Sequence, residues 1–245
     1  MSTQSSLKVG LVTGATRGIG FETVRQLASQ GVHVLLAGRD RAKAVEASLK
    51  LQSEGLQVEA IALDVTKPDS IASAVQEVTQ KHGKLDILVN NAGVFRDDVQ
   101  RKPSEQSLET WHETFDTNVF GVVATTQAFL PLLKLAPAAR IVNVSSLLGS
   151  IAANSDPASP IYGFKVPAYN VSKSAVNAWT VQLAHELRDT KIKVNAVHPG
   201  SVKTDMNAQG DMEITDGAKT SVRMALLDEA GQSGGFVHFE DTLPW

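Results

Sequence analysis

Short runs of β-branched and aliphatic residues alternate with longer amphipathic runs along most of the chain. The pattern predicts strands at KVGLVT, VHVLLA, QVEAIALDV, LDILVNNAG, ARIVNVSS and IKVNAVHPG, with GGFVHF as a seventh. Helical patterns fill the intervals, including one from about Glu105 to Lys134 and a long one that starts near Ala168. Strands that are apolar on both faces and separated by helices indicate a parallel sheet covered on each side. Because crossovers are right-handed, we predict a doubly wound, mostly parallel α/β fold with its ligand crevice at the carboxyl ends of the strands.

We see no linker or repeat, which predicts a single domain over residues 1–245.

Composition and charge exclude several classes of partner. The 245 residues include 23 basic and 26 acidic side chains, a net charge of −3, which predicts neither a nucleic-acid surface nor a polybasic membrane anchor. Cysteine is absent and the six histidines show no close ligand spacing, so the sequence predicts no metal site. The uncharged segment 117–133 contains Asn118, Gln127 and Pro131, which favours a buried helix over a membrane span. The first residues lack the apolar core of a signal peptide, so we expect a cytoplasmic protein.

Glycines follow the first predicted strand and open the first helix, in LVTGATRGIG. A glycine backbone can approach a pyrophosphate closely, and a helix N-terminus offers unpaired N–H groups and a positive dipole end. A tight turn alone also needs glycine, but this position between strand and helix favours a dinucleotide site. The contacts predicted for this turn are Gly14, Thr16, Arg17, Gly18, Ile19 and Gly20.

The end of the second predicted strand indicates which dinucleotide binds. A carboxylate there would bind the ribose hydroxyls of NAD, whereas an arginine accommodates the additional phosphate of NADP. Gly38 stands where the carboxylate is expected, Arg39 follows it, and Arg17 is placed to reach the same phosphate. In the simpler alternative, Arg39 is a solvated side chain and Asp40 caps the next helix. We predict NADP(H) as the cofactor.

Five motifs together give the chain a family resemblance. TGATRGIG, NNAG at residues 90–93, Asn118, NVSS and YNVSK occur in this order between Val9 and about Thr204. With them the chain resembles the short-chain dehydrogenase/reductases. The resemblance implies a Rossmann-type fold and an oxidoreductase that moves hydride between a nicotinamide and a carbonyl or alcohol carbon.

The segment PIYGFKVPAYNVSK contains two tyrosine–lysine pairs. Tyr169 and Lys173 are four residues apart at the start of a predicted helix, which places both side chains on one face. Tyr162 and Lys165 lie between two prolines, with a glycine in the pair, which predicts a loop. A nearby ammonium stabilises phenolate and lowers the pKa of a tyrosine. The resemblance implies that Tyr169 donates the proton to the carbonyl oxygen and that Lys173 also binds the nicotinamide ribose.

The other site assignments depend on the resemblance. Ser146 matches the serine that polarises the carbonyl oxygen because it precedes x-x-Gly, and Ser145 is its rival. Asn118 matches the asparagine that supports a water-linked proton path to the lysine, while Asn91 is expected to brace the central strands. The remaining predicted cofactor contacts are Asp64, Val65, Asn91, Tyr169, Lys173, Pro199, Gly200, Val202 and Thr204.

The chain departs from the family pattern in one spacing. Ser146 and Tyr169 are 23 residues apart, more than in most family members, and longer insertions at this point occur in the carbonyl-reductase-like branch. We expect the extra segment, 152–166, to form a loop over the outer face of the helix that follows. Such a loop would block pairing through that helix, which favours a monomer over a homodimer or homotetramer.

The sequence therefore predicts an NADPH-dependent oxidoreductase that reduces a ketone or aldehyde to an alcohol, reversibly. Two alternatives are a catalytically silent NADP(H)-sensing protein on the same fold and a methyltransferase, which would not need the Tyr-x-x-x-Lys pair. Met206 and Met212 belong either to a mobile flap over the substrate or to gap-filling contacts. The predicted substrate contacts, which suggest an apolar or aromatic carbonyl compound, are Phe95, Leu147, Leu148, Tyr162, Phe164 and Met206.

Overall fold

The computed structural model describes residues 7–245, so the prediction about a signal peptide concerns mostly residues outside the described part. Eight strands form one sheet, in the order β3-β2-β1-β4-β5-β6-β7-β8. The strands are β1 (Val9–Val12), β2 (His33–Gly38), β3 (Val58–Ala62), β4 (Ile87–Asn90), β5 (Arg140–Val144), β6 (Lys193–Val197), β7 (Phe236–His238) and β8 (Asp241–Thr242).

The order of the strands places a crevice at the centre of the sheet. Strands β1 to β7 are parallel, and β8 pairs antiparallel with β7. The direction of winding reverses between β1 and β4, so the connections that leave these two strands go to opposite faces and open a crevice at their carboxyl ends. The predicted doubly wound, mostly parallel α/β fold is confirmed, with eight strands rather than about seven.

Helices cover both faces of the sheet. They are α1 (Gly18–Ser29), α2 (Arg41–Ser53), α3 (Pro68–His82), α4 (Leu108–Phe115), α5 (Gly121–Lys134), α6 (Ile151–Ser155), α7 (Pro167–Glu186) and α8 (Ile214–Ala225). Helices α3, α5 and α7 pack on the face that carries Leu11 and Leu88. Helices α1, α2 and α8 pack on the face that carries Val12 and Val89. Successive residues of a strand thus enter opposite cores, which is why the strands read as continuous apolar runs.

The sequence pattern misses α8 and β8. Gly217 lies inside α8, where a Cβ would come within 2.4 Å of the Val202 side chain. The glycine therefore reflects close packing of α8 against the segment after β6, and not a turn. Strand β8 has two residues, too short to produce a periodic signal.

The predicted helix from about Glu105 to Lys134 is divided into several elements. It begins with a 3-10 turn and α4, continues through a π-helical turn at Asp116–Phe120, and ends with α5. The uncharged segment 117–133 belongs to the π-helical turn and to α5. Across residues 7–245, the structure contains no helix that is both long enough and apolar enough to cross a membrane.

The segment between β5 and α7 is anchored to the rest of the molecule. It contains α6, and the N–H of Ala152 donates to the carbonyl oxygen of Trp245 at 3.0 Å. Asn154 Oδ1 accepts a hydrogen bond of 3.1 Å from the first turn of α7. Farther along the outer face of α7, Val171 and Val181 are 46% and 39% exposed. The expectation that this segment covers the outer face of α7 is therefore wrong.

Candidate active site

The Tyr169–Lys173 pair lies beside the carboxyl end of β5. Helix α7 begins at Pro167, and the Lys173 Nζ is 5.6 Å from the centre of the Tyr169 ring. The same Nζ donates to the carbonyl oxygen of Val144, the last residue of β5, at 2.8 Å. Lys173 is 4% exposed. Helix periodicity and burial together hold the two side chains next to each other.

The second tyrosine–lysine pair lies on the surface. Tyr162 is 44% exposed, in the turns that follow α6. Lys165 Nζ lies 5.0 Å from the centre of the Tyr162 ring and donates to the backbone oxygen of Asn154 at 2.6 Å. This pair has neither the helical placement nor the burial of the first, as the prolines around it predict.

Burial determines the protonation of Tyr169 and Lys173. The nearby ammonium was expected to lower the pKa of Tyr169, but loss of hydration raises it to about 12, and a hydrogen bond with Ser146 partly opposes this shift. Loss of hydration also lowers the pKa of Lys173 to about 8, because a buried ammonium is disfavoured. Near neutral pH the phenol therefore keeps its proton and the lysine is mostly charged. A protonated phenol is the form that an acid catalyst requires.

The two serines that end the NVSS motif have different partners. Ser145 Oγ donates to Asn177 Oδ1 at 2.6 Å, a contact that directs it into α7. Ser146 Oγ accepts from the N–H of Leu148 at 3.2 Å and also meets the Tyr169 hydroxyl. Of the two, the structure places Ser146 beside the tyrosine.

Asn118 is fully buried in the π-helical turn before α5. Its Oδ1 accepts from the N–H of Val94 at 2.8 Å, and its Nδ2 donates to the Val94 oxygen and the Ser172 hydroxyl at 2.9 and 3.1 Å. A Cβ on Gly93 would lie 3.5 Å from Asn118 Oδ1 and 3.7 Å from Lys173 Nζ. The glycine thus keeps the region between these two side chains open. A π-helical turn is a common feature of functional sites.

The turn between β1 and α1 has the backbone that its glycines predict. Gly14 and Gly18 have φ values of 61° and 60°, a region that side chains disfavour. A Cβ on Gly20 would lie 2.3 Å from Asn91 Nδ2, so this glycine permits α1 to pack closely. Asn91 donates to the Thr13 oxygen at 2.8 Å and joins the ends of β1 and β4. The result is an open cradle at the N-terminus of α1, which fits a pyrophosphate. The other predicted contacts in this turn and the start of α1 are Thr16, Arg17 and Ile19.

The end of β2 has no room for a carboxylate side chain. A Cβ on Gly38 would lie 2.5 Å from the Thr16 methyl carbon, so even alanine would require the Thr16 side chain to move. Arg39, the next residue along the chain, is exposed. Asp40 accepts from the N–H of Lys43 at 3.2 Å and caps α2, as the simpler alternative predicts.

Arg17 pairs with the segment that follows β6. Its guanidinium donates to the Asp205 carboxylate at 2.6 Å, and both side chains are exposed. The neighbouring Thr204 lies against the turn, with its methyl carbon 3.9 Å from a Cβ placed on Gly18. Arg17 was expected to reach a cofactor phosphate, and the structure gives it a carboxylate partner instead. Because an exposed ion pair contributes about 0–1 kcal/mol, a phosphate can compete for the guanidinium.

The remaining predicted cofactor contacts follow two other strands. After β3, Asp64 Oδ1 accepts two hydrogen bonds from within its own turn, and Val65 is buried. After β6 come Pro199 and Gly200, whose φ is 98°, and then buried Val202. Both segments lie at the carboxyl edge of the sheet, where the fold places its crevice.

The predicted substrate contacts fall into two groups. Phe95 packs against Tyr169 with ring centres 5.4 Å apart. Leu147 and Leu148 are partly buried in the 3-10 turn that Ser146 caps. The second group lies on loops: Tyr162, Phe164 and Met206 are each about half exposed. Met212 fills a gap, since a Cβ on Gly200 would lie 2.6 Å from its methyl carbon.

A buried carboxylate that the sequence analysis misses caps α7. Asp97 is 7% exposed, and its two oxygens accept from the N–H groups of Ala168 and Tyr169, both at 2.9 Å. A helix start leaves these N–H groups without partners, and Pro167 before them has none to offer. Asp97 therefore fixes the turn that carries Tyr169. No motif indicates it, because the contact joins residues 71 positions apart.

A row of buried amides and hydroxyls was also missed. Asn90 Nδ2 donates to the Thr126 hydroxyl at 2.9 Å and to Asn143 Oδ1 at 2.8 Å, and Asn143 Nδ2 donates to the Thr180 hydroxyl at 2.9 Å. The row joins α5, β4, β5 and α7 beneath the site. The signal in the sequence is an asparagine near the end of each of two buried strands, in NNAG and NVSS.

Comparisons with known proteins agree with this geometry. The family model described as short chain dehydrogenase matches residues 8–214. A short-chain dehydrogenase/reductase 1 from Saponaria officinalis is 35% identical, with 97% of this chain and 96% of the relative covered. The NADPH-bound carbonyl reductase from chicken fatty liver superposes with a TM-score of 0.85 at 30% identity, covering 98% of this chain and 99% of that one. Salutaridine reductase from Papaver somniferum superposes with a TM-score of 0.82 at 32% identity, covering 94% and 99%.

Proposed function

The chain belongs to the short-chain dehydrogenase/reductase family, and we propose that it is an NADPH-dependent reductase that converts a ketone or aldehyde to the alcohol, reversibly. The proposal treats residues 1–245 as one catalytic domain. One observation carries it: the Tyr169 hydroxyl meets Ser146, with the Lys173 ammonium close to the same ring, beside the carboxyl end of β5. Similar proteins that are reductases by name support this type of chemistry.

NADP(H) is the cofactor in this proposal. The glycine cradle at the start of α1 fits its pyrophosphate, and Lys173 would hold the nicotinamide ribose. Gly38 supplies no carboxylate for the ribose hydroxyls of NAD, a side chain in its place would crowd Thr16, and exposed Arg39 would bind the additional phosphate. The similar carbonyl reductase binds NADPH, which supports the same assignment.

The reaction needs a hydride and a proton, which have different sources. When bound, the dihydronicotinamide supplies the hydride to the carbonyl carbon. The Ser146 hydroxyl donates a hydrogen bond to the carbonyl oxygen and orients it, and the neutral Tyr169 phenol gives this oxygen its proton as negative charge develops. Lys173, held by the Val144 oxygen, stabilises the phenolate that is left.

Asn118 completes the site by holding a path for the replacement proton. Its contacts with Val94 and Ser172 fix the amide, and Gly93 keeps the space between Asn118 and Lys173 open. In our proposal a water in this space connects Lys173 to solvent, so that Tyr169 regains its proton after each turnover.

A substrate panel tests the proposed function. We expect the purified chain to oxidise NADPH with apolar or aromatic ketones, aldehydes or quinones, because Phe95 lies next to Tyr169, and to form one alcohol for each NADPH consumed. Tyr169→Phe serves as the inactive control. If the chain binds NADPH tightly but reduces nothing across the panel, the silent sensor becomes the better account. If it binds S-adenosylmethionine in place of NADPH, the cofactor assignment is wrong.

A further inference from the structure

Three potential metal ligands converge on the sheet face that α3 covers, close to the amino ends of β2 and β3. His33 begins β2, Glu59 lies in β3, and His82 ends α3. In the parallel register Glu59 pairs with Leu35, which lies two residues after His33 in β2. The side chains of His33 and Glu59 therefore point to the same face of the sheet. His82 follows Val78, a core residue of α3, by about one helical turn.

The distances within this cluster are longer than hydrogen bonds. The Nε2 atoms of His33 and His82 lie 3.6 and 3.5 Å from Glu59 Oε2, and the ligand atoms all lie within 4.8 Å of one another. Both Nε2 atoms are buried without a hydrogen-bond partner. Ligand atoms held tetrahedrally at about 2.1 Å from a zinc ion are about 3.4 Å apart. The nitrogen–oxygen separations here are close to that value.

An ion pair with Lys81 is the simpler account of this cluster. Lys81 Nζ donates to Glu59 Oε1 and to Glu77 Oε1, the latter at 2.8 Å. This contact accounts for one oxygen of Glu59 and leaves Oε2, the atom that both imidazoles face. It does not account for the two buried imidazole nitrogens, which face Glu59 Oε2 at 3.6 and 3.5 Å and make no hydrogen bond of normal length, an arrangement that costs free energy.

We propose that His33, Glu59 and His82 bind a divalent transition-metal ion of the zinc type, with water completing the coordination. Two imidazoles and one carboxylate are a ligand set that such ions take. The ligands come from β2, β3 and α3, so a bound ion ties the outer strand of the sheet to its neighbour and to the covering helix. The cofactor crevice lies at the opposite, carboxyl ends of the strands. The ion therefore stabilises the fold and takes no part in hydride transfer.

Zinc titration of the tag-free, full-length protein tests the proposal. After chelation and dialysis, calorimetry should show one zinc ion bound per chain. Free zinc at about 100 times Kd should raise Tm by roughly 5–10 °C. His33→Gln and His82→Gln should each weaken zinc binding roughly tenfold or more. His112→Gln, at an exposed histidine of α4, is the matched control and should bind zinc as the wild type does.

A second readout separates a lost site from a misfolded chain. Cobalt(II) at a site with tetrahedral nitrogen and oxygen ligands gives visible absorption bands, which should appear in the wild type and be absent from His82→Gln. The same variant should still bind NADPH, which would show that it folds. Wild-type zinc affinity in both histidine variants, or no binding by the wild type, would overturn the proposal.

Discussion

Lys173 is buried and Tyr169 is partly buried, and the loss of hydration moves their pKa values in opposite directions, up to about 12 for the phenol and down to about 8 for the ammonium. Reduction of a carbonyl starts from a neutral phenol, whereas oxidation of an alcohol needs the phenolate. The cofactor-free protein is therefore ready to act as an acid. The positive charge of an oxidised nicotinamide beside the pair would favour phenolate and the reverse reaction.

The pH dependence of reduction follows from these two groups. Tyr169 keeps its proton at every pH below about 12, so it does not limit the rate near neutrality. Lys173, with its pKa lowered to about 8, carries its charge below that pH and loses it above. We expect kcat/KM for reduction to be level below about pH 8 and to fall as the pH rises further. A kcat/KM that increases through this range would contradict the assignment of Lys173.

Removing each tyrosine hydroxyl separately tests which pair is reactive. Tyr169→Phe deletes the proton donor but leaves the glycine cradle and Lys173 in place, so turnover should be lost while NADPH affinity stays within about threefold. Tyr162→Phe is the matched control, since Tyr162 is 44% exposed on a loop, and it should keep most of its activity. Steady-state kinetics and fluorescence titration with NADPH measure the two effects. The reverse outcome would show that the wrong tyrosine has been assigned.

Arg39 should determine the preference for NADPH over NADH. A lost charge-assisted contact with the phosphate costs about 1.5–3 kcal/mol, roughly ten- to hundredfold in affinity. We expect Arg39→Ala to raise KM for NADPH by this factor and to leave KM for NADH nearly unchanged. Arg188→Ala, at an exposed arginine beyond α7, is the control. Equal wild-type kcat/KM values for the two cofactors would contradict the prediction.

At the scale of secondary structure elements, the start of α7 depends on a residue from a distant loop. The side chain of Val166, which precedes the helix, makes no capping hydrogen bond, and Pro167 has no N–H. Asp97 supplies the cap to the next two N–H groups, and its negative charge suits the positive end of the helix dipole. The orientation of Tyr169 thus depends on the segment that follows β4.

Replacing Asp97 should affect catalysis more than cofactor binding. In Asp97→Asn one oxygen becomes an NH2 group that cannot accept from a helix N–H. The loss of about 1.5–3 kcal/mol should lower Tm by roughly 3–12 °C. We also expect a lower kcat with little change in NADPH affinity, because Tyr169 loses its fixed position. Asp98→Asn, at the exposed neighbour, is the control for both effects. An unchanged kcat together with a lower Tm would show that the cap serves stability alone.

Sequence periodicity predicts most elements here and few of the contacts between them. The apolar runs and the glycine-rich turn indicate the parallel sheet because both follow from local chemistry. Asp97 acts across 71 residues and no local pattern indicates it, whereas the Asn90–Asn143 contact, across 53 residues, is hinted at only by an asparagine near the end of each strand. Helix α8 is missed because Gly217 reads as a turn residue, although it is needed for packing against Val202. The cluster of His33, Glu59 and His82 is likewise invisible in residue spacing.

At the scale of the whole molecule, the oligomeric state depends on whether the face built from α5 and α7 is free to pair with a second chain. The sequence predicts a monomer because the segment 152–166 would cover this face, but Val171 and Val181 of α7 are 46% and 39% exposed, as is 59% of Phe120 just before α5. The physical reason given for a monomer is therefore absent. The oligomeric state stays a prediction for light scattering to test, as does the cytoplasmic location for microscopy.

The central claim is that the chain itself moves hydride from NADPH to a carbonyl carbon. The most direct measurement uses NADPH deuterated at the carbon that donates the hydride, with mass spectrometry of the alcohol formed. We predict one deuterium on the carbinol carbon of each product molecule when one of the two faces is labelled and none when the other is, and no alcohol from Tyr169→Phe. Alcohol without deuterium from either labelled face of the nicotinamide, or no alcohol from any carbonyl compound despite bound NADPH, would contradict the account.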